Sequence, residues 1–234
     1  MLFTIVGSGI VVQDLGSDAA LQLLAQAIAV GAVLSVLIGV FGPVSGGHLN
    51  PVVTLVFWHS RELTWRNAVV YVLAQATGAL SGVVLAHASF ARAVLSISTT
   101  VRDGFGRVLA EVISTFVLVL LVCGLTRTNR SHLIPWAAGV WVTTAIFATS
   151  STGFANPAVT LARSLTDTYS GIAPINVGGF IVGQVSGGLL AISAASFFFP
   201  VHSARRKPRD RGSLHRPAGR GDRRCKEPRQ ETLV

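Results

Sequence analysis

Hydrophobic residues along this chain form long runs, separated by short breaks that contain polar residues, glycine or proline. Runs of this length, almost free of charge, predict helices that cross a membrane. The Gly42-Pro43 pair is predicted to stop the second of these helices. The predicted helices after the first cover residues 21–41, 68–90, 107–125, 133–150 and 172–199.

The first apolar segment, residues 1–12, is too short to span a membrane and has neither the charged start nor the cleavage site of a signal peptide. Its Gly7 corresponds to Gly124 in a later run, where Glu111 lies thirteen residues upstream. The segment is therefore expected to be the second half of a helix. About two turns would precede Met1, either because the given sequence starts late or because the protein is truncated.

Two short segments share the pattern Asn-Pro-x-Val-Thr-Leu, one beginning at Asn50 and the other at Asn156. Asparagine is favoured at a helix N-cap, and Pro51 and Pro157 then occupy the first helical position. Each apolar run continues for only about ten residues before an arginine, roughly half of what a membrane span needs. Both segments are therefore predicted to be half-helices.

The two halves of the chain repeat the same order of helix, helix, half-helix and helix. The Gln75-x-x-Gly sequence of the third long helix recurs at Gln184 in the last one. We therefore predict one channel-like domain over residues 1–200, with repeats at 1–90 and 107–200. Each repeat has three spanning helices, so the second must be inverted, and paired half-helices in such repeats indicate a site at the membrane midplane.

Composition agrees with a membrane protein and locates the charge. Hydrophobic residues make up 50% of the chain and charged residues 12%, with a mean hydropathy of +0.59; soluble domains average about 25% charged residues. The net charge is +9, but residues 203–234 hold eleven basic and four acidic residues, which leaves eight basic and six acidic residues elsewhere. The lipid bilayer is therefore the expected partner, and nucleic acid is not.

Loop charge predicts the orientation, because the side with more lysine and arginine is cytoplasmic. A multi-pass protein of the cell membrane (inner or plasma membrane) with a cytoplasmic C-terminus is expected. The tail, 203–234, is predicted to be disordered; it either sets topology as a solvated end, binds anionic lipid or is a frame-shifted reading. The cytoplasmic side includes Arg61, Arg66, Arg127, Arg130 and the tail, and the other side Arg92, Arg102, Arg107 and Arg163.

The sequence shows no pattern that indicates an enzyme. Cys123 and Cys225 form neither a disulfide framework nor a metal-ligand spacing. Serine and threonine are abundant but lack a matched histidine and aspartate, and no phosphate loop is present. We expect no catalytic residues, no metal and no cofactor.

Several motifs together resemble the aquaporin, or major intrinsic protein, family. They are the two Asn-Pro boxes, Gly-Gly-His-Leu before the first box, Ala-Glu-x-x-x-Thr-Phe beginning at Ala110, and the repeated Gln-x-x-Gly. The resemblance covers about residues 1–200. It implies an all-α membrane fold of six tilted helices and two half-helices that meet at the bilayer centre. It also implies a homotetramer with one pore per subunit.

The physics of such a centre favours small neutral solutes. Each half-helix directs about half a positive charge to its N-terminus, so two that converge repel cations where water screens poorly. The amides of Asn50 and Asn156 can cap their helices with oxygen and donate hydrogen bonds to a solute with nitrogen. Apolar neighbours offer few other partners; those expected are Val52, Ala158, Ile38 and Val159.

Two residues depart from the family pattern. Val52 is larger than the usual alanine of the first box, and Val159 stands where water and glycerol channels usually carry an arginine. That arginine would add a full charge and five N–H donors, so the constriction is predicted to be wider and free of charge. Ala145 is an alternative to Thr144, and Gly153 to Phe154. The predicted constriction consists of Val30, Thr144, Phe154 and Val159.

The second box and its flanks resemble a bacterial branch of the family associated with arsenic resistance. That resemblance implies passage of trivalent or methylated arsenic species. Arsenious acid is uncharged at neutral pH, hydroxylated and similar to glycerol in shape, so it fits the expected chemistry. Glycerol, urea, water and ammonia are the alternative solutes.

Glu111 and His48 are assigned supporting roles. The resemblance implies that Glu111 accepts hydrogen bonds from the loop before the second half-helix, whereas a lone membrane carboxylate could instead couple transport to protons. His48 is expected to hydrogen-bond the loop backbone, with a pH gate as the alternative. An ion-coupled secondary transporter and a non-conducting structural protein are the rival classes.

Overall fold

The structure is a computed structural model that describes residues 1–16 and 18–200. The predicted disordered tail, residues 203–234, lies outside the described residues. Within them the chain forms helices and connecting loops, with no β-strand. The helices are α1 Leu2–Asp14, α2 Ala19–Ser45, α3 Pro51–His59, α4 Trp65–Ser89, α5 Phe105–Arg127, a 3₁₀ turn at Ser131–Leu133, α6 Ile134–Ala148, α7 Pro157–Arg163 and α8 Pro174–Phe198.

The predicted all-α architecture is confirmed. Among the described residues, five helical segments are long and apolar enough to cross a membrane: α2, α4, α5, α8 and the segment Ser131–Ala148 that contains α6. Three helices are shorter, namely α1 and the two half-helices α3 and α7. Each half of the chain therefore contains the predicted order of elements, with ends that differ from prediction by a few residues.

The Gly42-Pro43 pair does not end α2, so this prediction is wrong. The helix continues through Pro43 to Ser45 and ends at Gly46, which has a left-handed φ of 75°. Proline removes one backbone donor, and near a helix end this loss affects little of the remaining hydrogen-bond ladder. Glycine in the left-handed conformation is the more effective stop signal because it carries no Cβ.

The helix contacts repeat between the two halves. In the first half α1 packs against α4, and in the second α5 packs against α8; α4 contacts α7 just as α8 contacts α3. The elements α2 and α6 pack against each other, as do α3 and α7. These pairings are the ones that a two-fold relation between the halves requires.

Glycines on α8 allow its backbone to lie directly on α5. A Cβ added at Gly187 would collide with the carbonyl oxygen of Val112, and one added at Gly183 would lie 2.8 Å from that of Val108. Such close backbone approach through small residues is a typical way of packing membrane helices. The contact supports the candidate site because α5 and α8 carry two of its buried polar residues.

Replacing Gly187 by valine should lower the melting temperature of the purified protein. Overpacking a close helix contact costs about 1–3 kcal/mol, and here the obstacle is backbone that cannot rotate away. The matched control is Gly178→Val on the same helix, where an added Cβ meets no atom within 4 Å. Equal melting temperatures for the two variants in detergent would contradict the packing described here.

Candidate functional site

The two half-helices begin at the predicted asparagines. The Asn50 Oδ1 atom accepts a hydrogen bond from the Val52 backbone N–H at 2.9 Å, and Asn156 Oδ1 accepts one from Ala158 at 3.1 Å. Pro51 and Pro157 occupy the first helical positions. The predicted capping of both half-helices is thus confirmed.

The same asparagines join the two half-helix starts. Asn50 Nδ2 donates to the carbonyl oxygen of Ala155 at 2.7 Å, and Asn156 Nδ2 donates to that of Leu49 at 2.8 Å. Leu49 and Ala155 have positive φ angles of 49° and 48°. This strained backbone turns each carbonyl toward the opposite half. Each amide nitrogen carries a second hydrogen, which remains available to a solute.

Glu111 holds the loop before the second half-helix. Its carboxylate is fully buried and accepts hydrogen bonds from the backbone N–H groups of Phe154 at 2.9 Å and Ala155 at 2.8 Å. Gln184 also donates to it at 2.6 Å and links it to Thr160 at 2.7 Å. The contacts are those that the family resemblance implied, and they leave the carboxylate occupied by protein donors.

His48 contacts side chains rather than the loop backbone that was expected to bind it. Its Nδ1 atom lies 3.2 Å from the Thr54 hydroxyl oxygen, and its ring stacks on Phe57 at a centroid distance of 4.3 Å. Gln75 donates to the same hydroxyl at 2.9 Å. The histidine therefore supports the first half-helix through Thr54.

A cavity of about 290 Å³ runs beside the joined half-helix starts. Asn50 and Asn156 both line it, so the two asparagines share one passage. Three of the four predicted constriction residues, Val30, Phe154 and Val159, also line this cavity. Most of the remaining wall is apolar, and α2 and α6 are among the helices that contribute to it.

The assignment of Thr144 to the constriction is wrong. Its side chain is exposed on the outer face of α6, where the hydroxyl donates to the Val140 carbonyl at 2.9 Å. The alternative, Ala145, packs beside Gly153. Val142 and Ile146 line the cavity instead. Successive helical residues are rotated by about 100°, so residues four apart share a face that Thr144 cannot reach.

The third residues of the two boxes do not contribute to this cavity. Val52 packs into the contact between α5 and α8, where Gly188 leaves room for its methyl group. Val53, the next residue, lines the cavity in its place. Ala158 is buried in the helix core. The expectation that Val52 and Ala158 wall the passage is therefore wrong, because neither residue lines this cavity.

The expectation of an uncharged passage is also wrong. Arg102, from the connector between the halves, and Arg163, at the end of α7, both line the cavity. Their guanidinium carbon atoms lie 5.2 Å and 3.4 Å from the centre of the Phe154 ring. Arg163 follows Val159 by four residues on one helix face, a spacing visible in the sequence. Nothing in the sequence places Arg102 there.

Gln26 is a further cavity residue that sequence reasoning missed. It lies on α2 one turn before Val30, and its side-chain nitrogen donates to the Ile5 carbonyl at 3.0 Å and to the Ser170 hydroxyl at 3.1 Å. The four-residue spacing from Val30 was the available signal, because residues so spaced share a helix face.

Comparison with known proteins gives concordant matches. The family model described as "Major intrinsic protein" matches residues 1–149. "Aquaglyceroporin AqpS" of Rhizobium meliloti (strain 1021) is 44% identical over 193 residues, covering 82% of each protein. "Aquaporin NIP2-2" of Zea mays is 32% identical over 172 residues, covering 70% of this chain and 58% of its own length. "Probable aquaporin AqpM" of Archaeoglobus fulgidus is 33% identical over 181 residues, covering 70% and 71%.

Proposed function

Since this chain belongs to the major intrinsic protein family, it is a membrane channel for small solutes and not an enzyme, and we propose that it passes uncharged metalloid hydroxides. Arsenite and methylated arsenic species are the proposed solutes. The observation that carries the proposal is the position of Val159, which lines the cavity beside Asn156 with a short apolar side chain. A larger hydroxylated solute therefore has room beside the asparagine donors.

The chemistry of the cavity supports this solute class. The amide hydrogens of Asn50 and Asn156 are donors for solute hydroxyl oxygens, and Val142, Ile146 and Val30 provide apolar contact. Arsenious acid presents hydroxyl groups without a charge, so it avoids the cost of moving an ion into an apolar passage. Glycerol and urea share these properties and remain alternative solutes of the same site.

A passive mechanism is proposed over coupled transport. Glu111, the buried carboxylate of the second half, already accepts three hydrogen bonds from protein donors. Coupled transporters instead need ionisable groups that can exchange ions or protons along the path. Among the described residues, the ionisable side chains that line the cavity are Arg102, Arg163, His48 and Tyr169. Arginine does not exchange protons near neutral pH, and His48 is held by Thr54 and Phe57.

Vesicle flux tests the proposal directly. Purified protein in proteoliposomes should accelerate arsenite and glycerol uptake over empty vesicles in the absence of any proton or sodium gradient. Uptake that needs such a gradient would indicate a coupled transporter, and no uptake of any solute would indicate a structural protein. Water flux without arsenite or glycerol flux would contradict the proposed solute class.

We also propose a homotetramer in the cell membrane with a cytoplasmic C-terminus. Large apolar side chains cover the outer faces of the helices, for example Trp136 and Ile175, as contact with lipid or a neighbouring subunit requires. The basic residues at 61, 66, 127 and 130 support the orientation. Native mass spectrometry from detergent tests the assembly, and protease accessibility of the C-terminus in inverted vesicles tests the orientation.

A further inference from the structure

Arg163 is a buried cation with unused donors. Only 7% of its surface is exposed, its Nε–H donates to the Ser170 carbonyl, and its guanidinium carbon lies 3.4 Å from the centre of the Phe154 ring. Within residues 1–16 and 18–200, no atom accepts a hydrogen bond from its two terminal nitrogens. Because the residue lines the cavity, those donors face the space that a solute would occupy.

Arg102 is held at the same place from the connector. Its Nε–H donates to the Gly171 carbonyl at 2.8 Å, and its terminal nitrogens reach the Tyr169 carbonyl at 3.3 Å and the Thr152 hydroxyl at 3.4 Å. Three consecutive carbonyls, of residues 169–171, therefore accept from the two guanidinium groups. Among the described residues, neither arginine forms an ion pair; the salt bridge found there joins Arg92 and Asp14.

Both groups place positive charge against the cavity. Burial lowers the pKa of Arg102 to about 10, and the nearby Arg107 adds to the lowering, so Arg102 stays protonated at neutral pH. Both guanidinium groups lie against the Phe154 ring, whose negative π face stabilises a cation. The ring itself is fixed edge-on against Phe180 at 5.1 Å. The charge is thus held at a defined position.

We propose that Arg102 and Arg163, held on Phe154, form a solute-binding site at the connector end of the cavity that takes oxygen-bearing solutes and excludes cations. The site lies one helical turn beyond Val159, further from the asparagines. A guanidinium fork matches two oxygen acceptors on one solute atom, as in small oxyacids and geminal hydroxides. Val30 and Val159 then contact the apolar part of the solute.

This inference rests on the proposed channel function and adds residues to it. The rival interpretation is that the arginines serve only to hold residues 169–171 in place. A purely structural clamp would affect folding and the flux of all solutes together. A charged binding site predicts instead that neutral and cationic solutes respond in opposite directions when the charge is removed.

The test compares glycerol with the guanidinium cation in proteoliposomes. In the double variant Arg102→Gln and Arg163→Gln, the ratio of guanidinium flux to glycerol flux should rise at least about tenfold. The glycerol concentration that half-saturates uptake should rise as well. The control is Arg92→Gln, because Arg92 is predicted to lie on the same side, is exposed, pairs with Asp14 and does not line the cavity; its flux ratio should match that of the wild type.

Two further variants keep the test decisive. If the double variant does not fold, Arg102→Gln alone should still raise the ratio, since this side chain comes from a loop. Adding Val159→Arg to the double variant should restore cation exclusion by placing charge one turn away. An unchanged ratio in Arg102→Gln or the double variant would overturn the proposal, as would an equal loss of both fluxes. A wild type that passes no glycerol would instead contradict the channel function.

Discussion

Replacing Val159 by arginine is expected to reduce arsenite and glycerol uptake at least about tenfold, with a much smaller loss of water flux. The valine is buried against the cavity immediately after the second box, within one helical turn of Arg163. Arginine there adds bulk to a cavity of about 290 Å³ and brings a third guanidinium to the same wall. Water needs less width than either larger solute, so its flux should suffer least.

Val159→Leu separates the effect of volume from that of charge. Leucine narrows the cavity without donors or charge, so it should lower arsenite uptake less than arginine does. Stopped-flow measurements of water and glycerol, with arsenite counted by metal analysis of filtered vesicles, provide the comparison. Arsenite uptake by Val159→Arg at the wild-type rate would remove this residue from the constriction and would leave the proposed solute class without its main support.

The fold was largely predictable because membrane helices leave a strong local pattern. An apolar run of about 20 residues has few other interpretations, and the Asn-Pro pair encodes both the cap and the first turn of each half-helix. The meeting of the two half-helix starts also followed from the repeat, since matching half-helices of an inverted pair converge. The end of α2 was misplaced because Pro43 was weighted above Gly46.

The constriction was less predictable because it depends on helix rotation. Counting residues selected Val30, which lines the cavity, but on α6 it selected Thr144, two positions before the lining residue Ile146. One residue changes the direction of a helical side chain by about 100°, so a small error in loop length selects the wrong face. The Thr144 hydroxyl donates a hydrogen bond to a carbonyl of its own helix, and the sequence does not predict this bond.

The charge at the cavity was missed for two different reasons. Arg163 follows Val159 at a helical spacing and was readable, yet it was interpreted only as the end of an apolar run. Arg102 depends on tertiary structure, because the connector that carries it must fold back to the carbonyls of residues 169–171. Loop positions of this kind have no periodicity to predict them.

In both halves a glutamine donates to a threonine hydroxyl of the half-helix, Gln75 to Thr54 and Gln184 to Thr160. In the second half the Glu111 carboxylate also accepts hydrogen bonds from two backbone N–H groups and from Gln184. In the described part of the first half, the Thr54 hydroxyl contacts both His48 and Gln75. The Glu111 carboxylate also acts electrostatically on Arg102 and Arg163. Changes at Glu111 should therefore affect both the loop backbone and the cavity.

Glu111→Ala is expected to abolish solute flux and to lower the melting temperature strongly. The substitution removes the acceptor for Phe154, Ala155 and Gln184, and each buried donor left unpaired costs about 1–3 kcal/mol. Within a membrane no water enters easily to replace the lost acceptor. Because Ala155 supplies the carbonyl that Asn50 contacts, the joined half-helix starts should separate.

Glu111→Gln tests whether the carboxylate acts through its acceptors. The glutamine side chain keeps one acceptor oxygen, but its NH₂ group would face a backbone N–H that needs an acceptor. The melting temperature and glycerol flux of this variant should therefore fall between those of the wild type and the alanine variant. Ser114→Ala on the same helix is the control, because the Ser114 hydroxyl is buried with no partner among the described residues. If Glu111→Ala behaved like Ser114→Ala in both measurements, the carboxylate would not be what holds the second box in place.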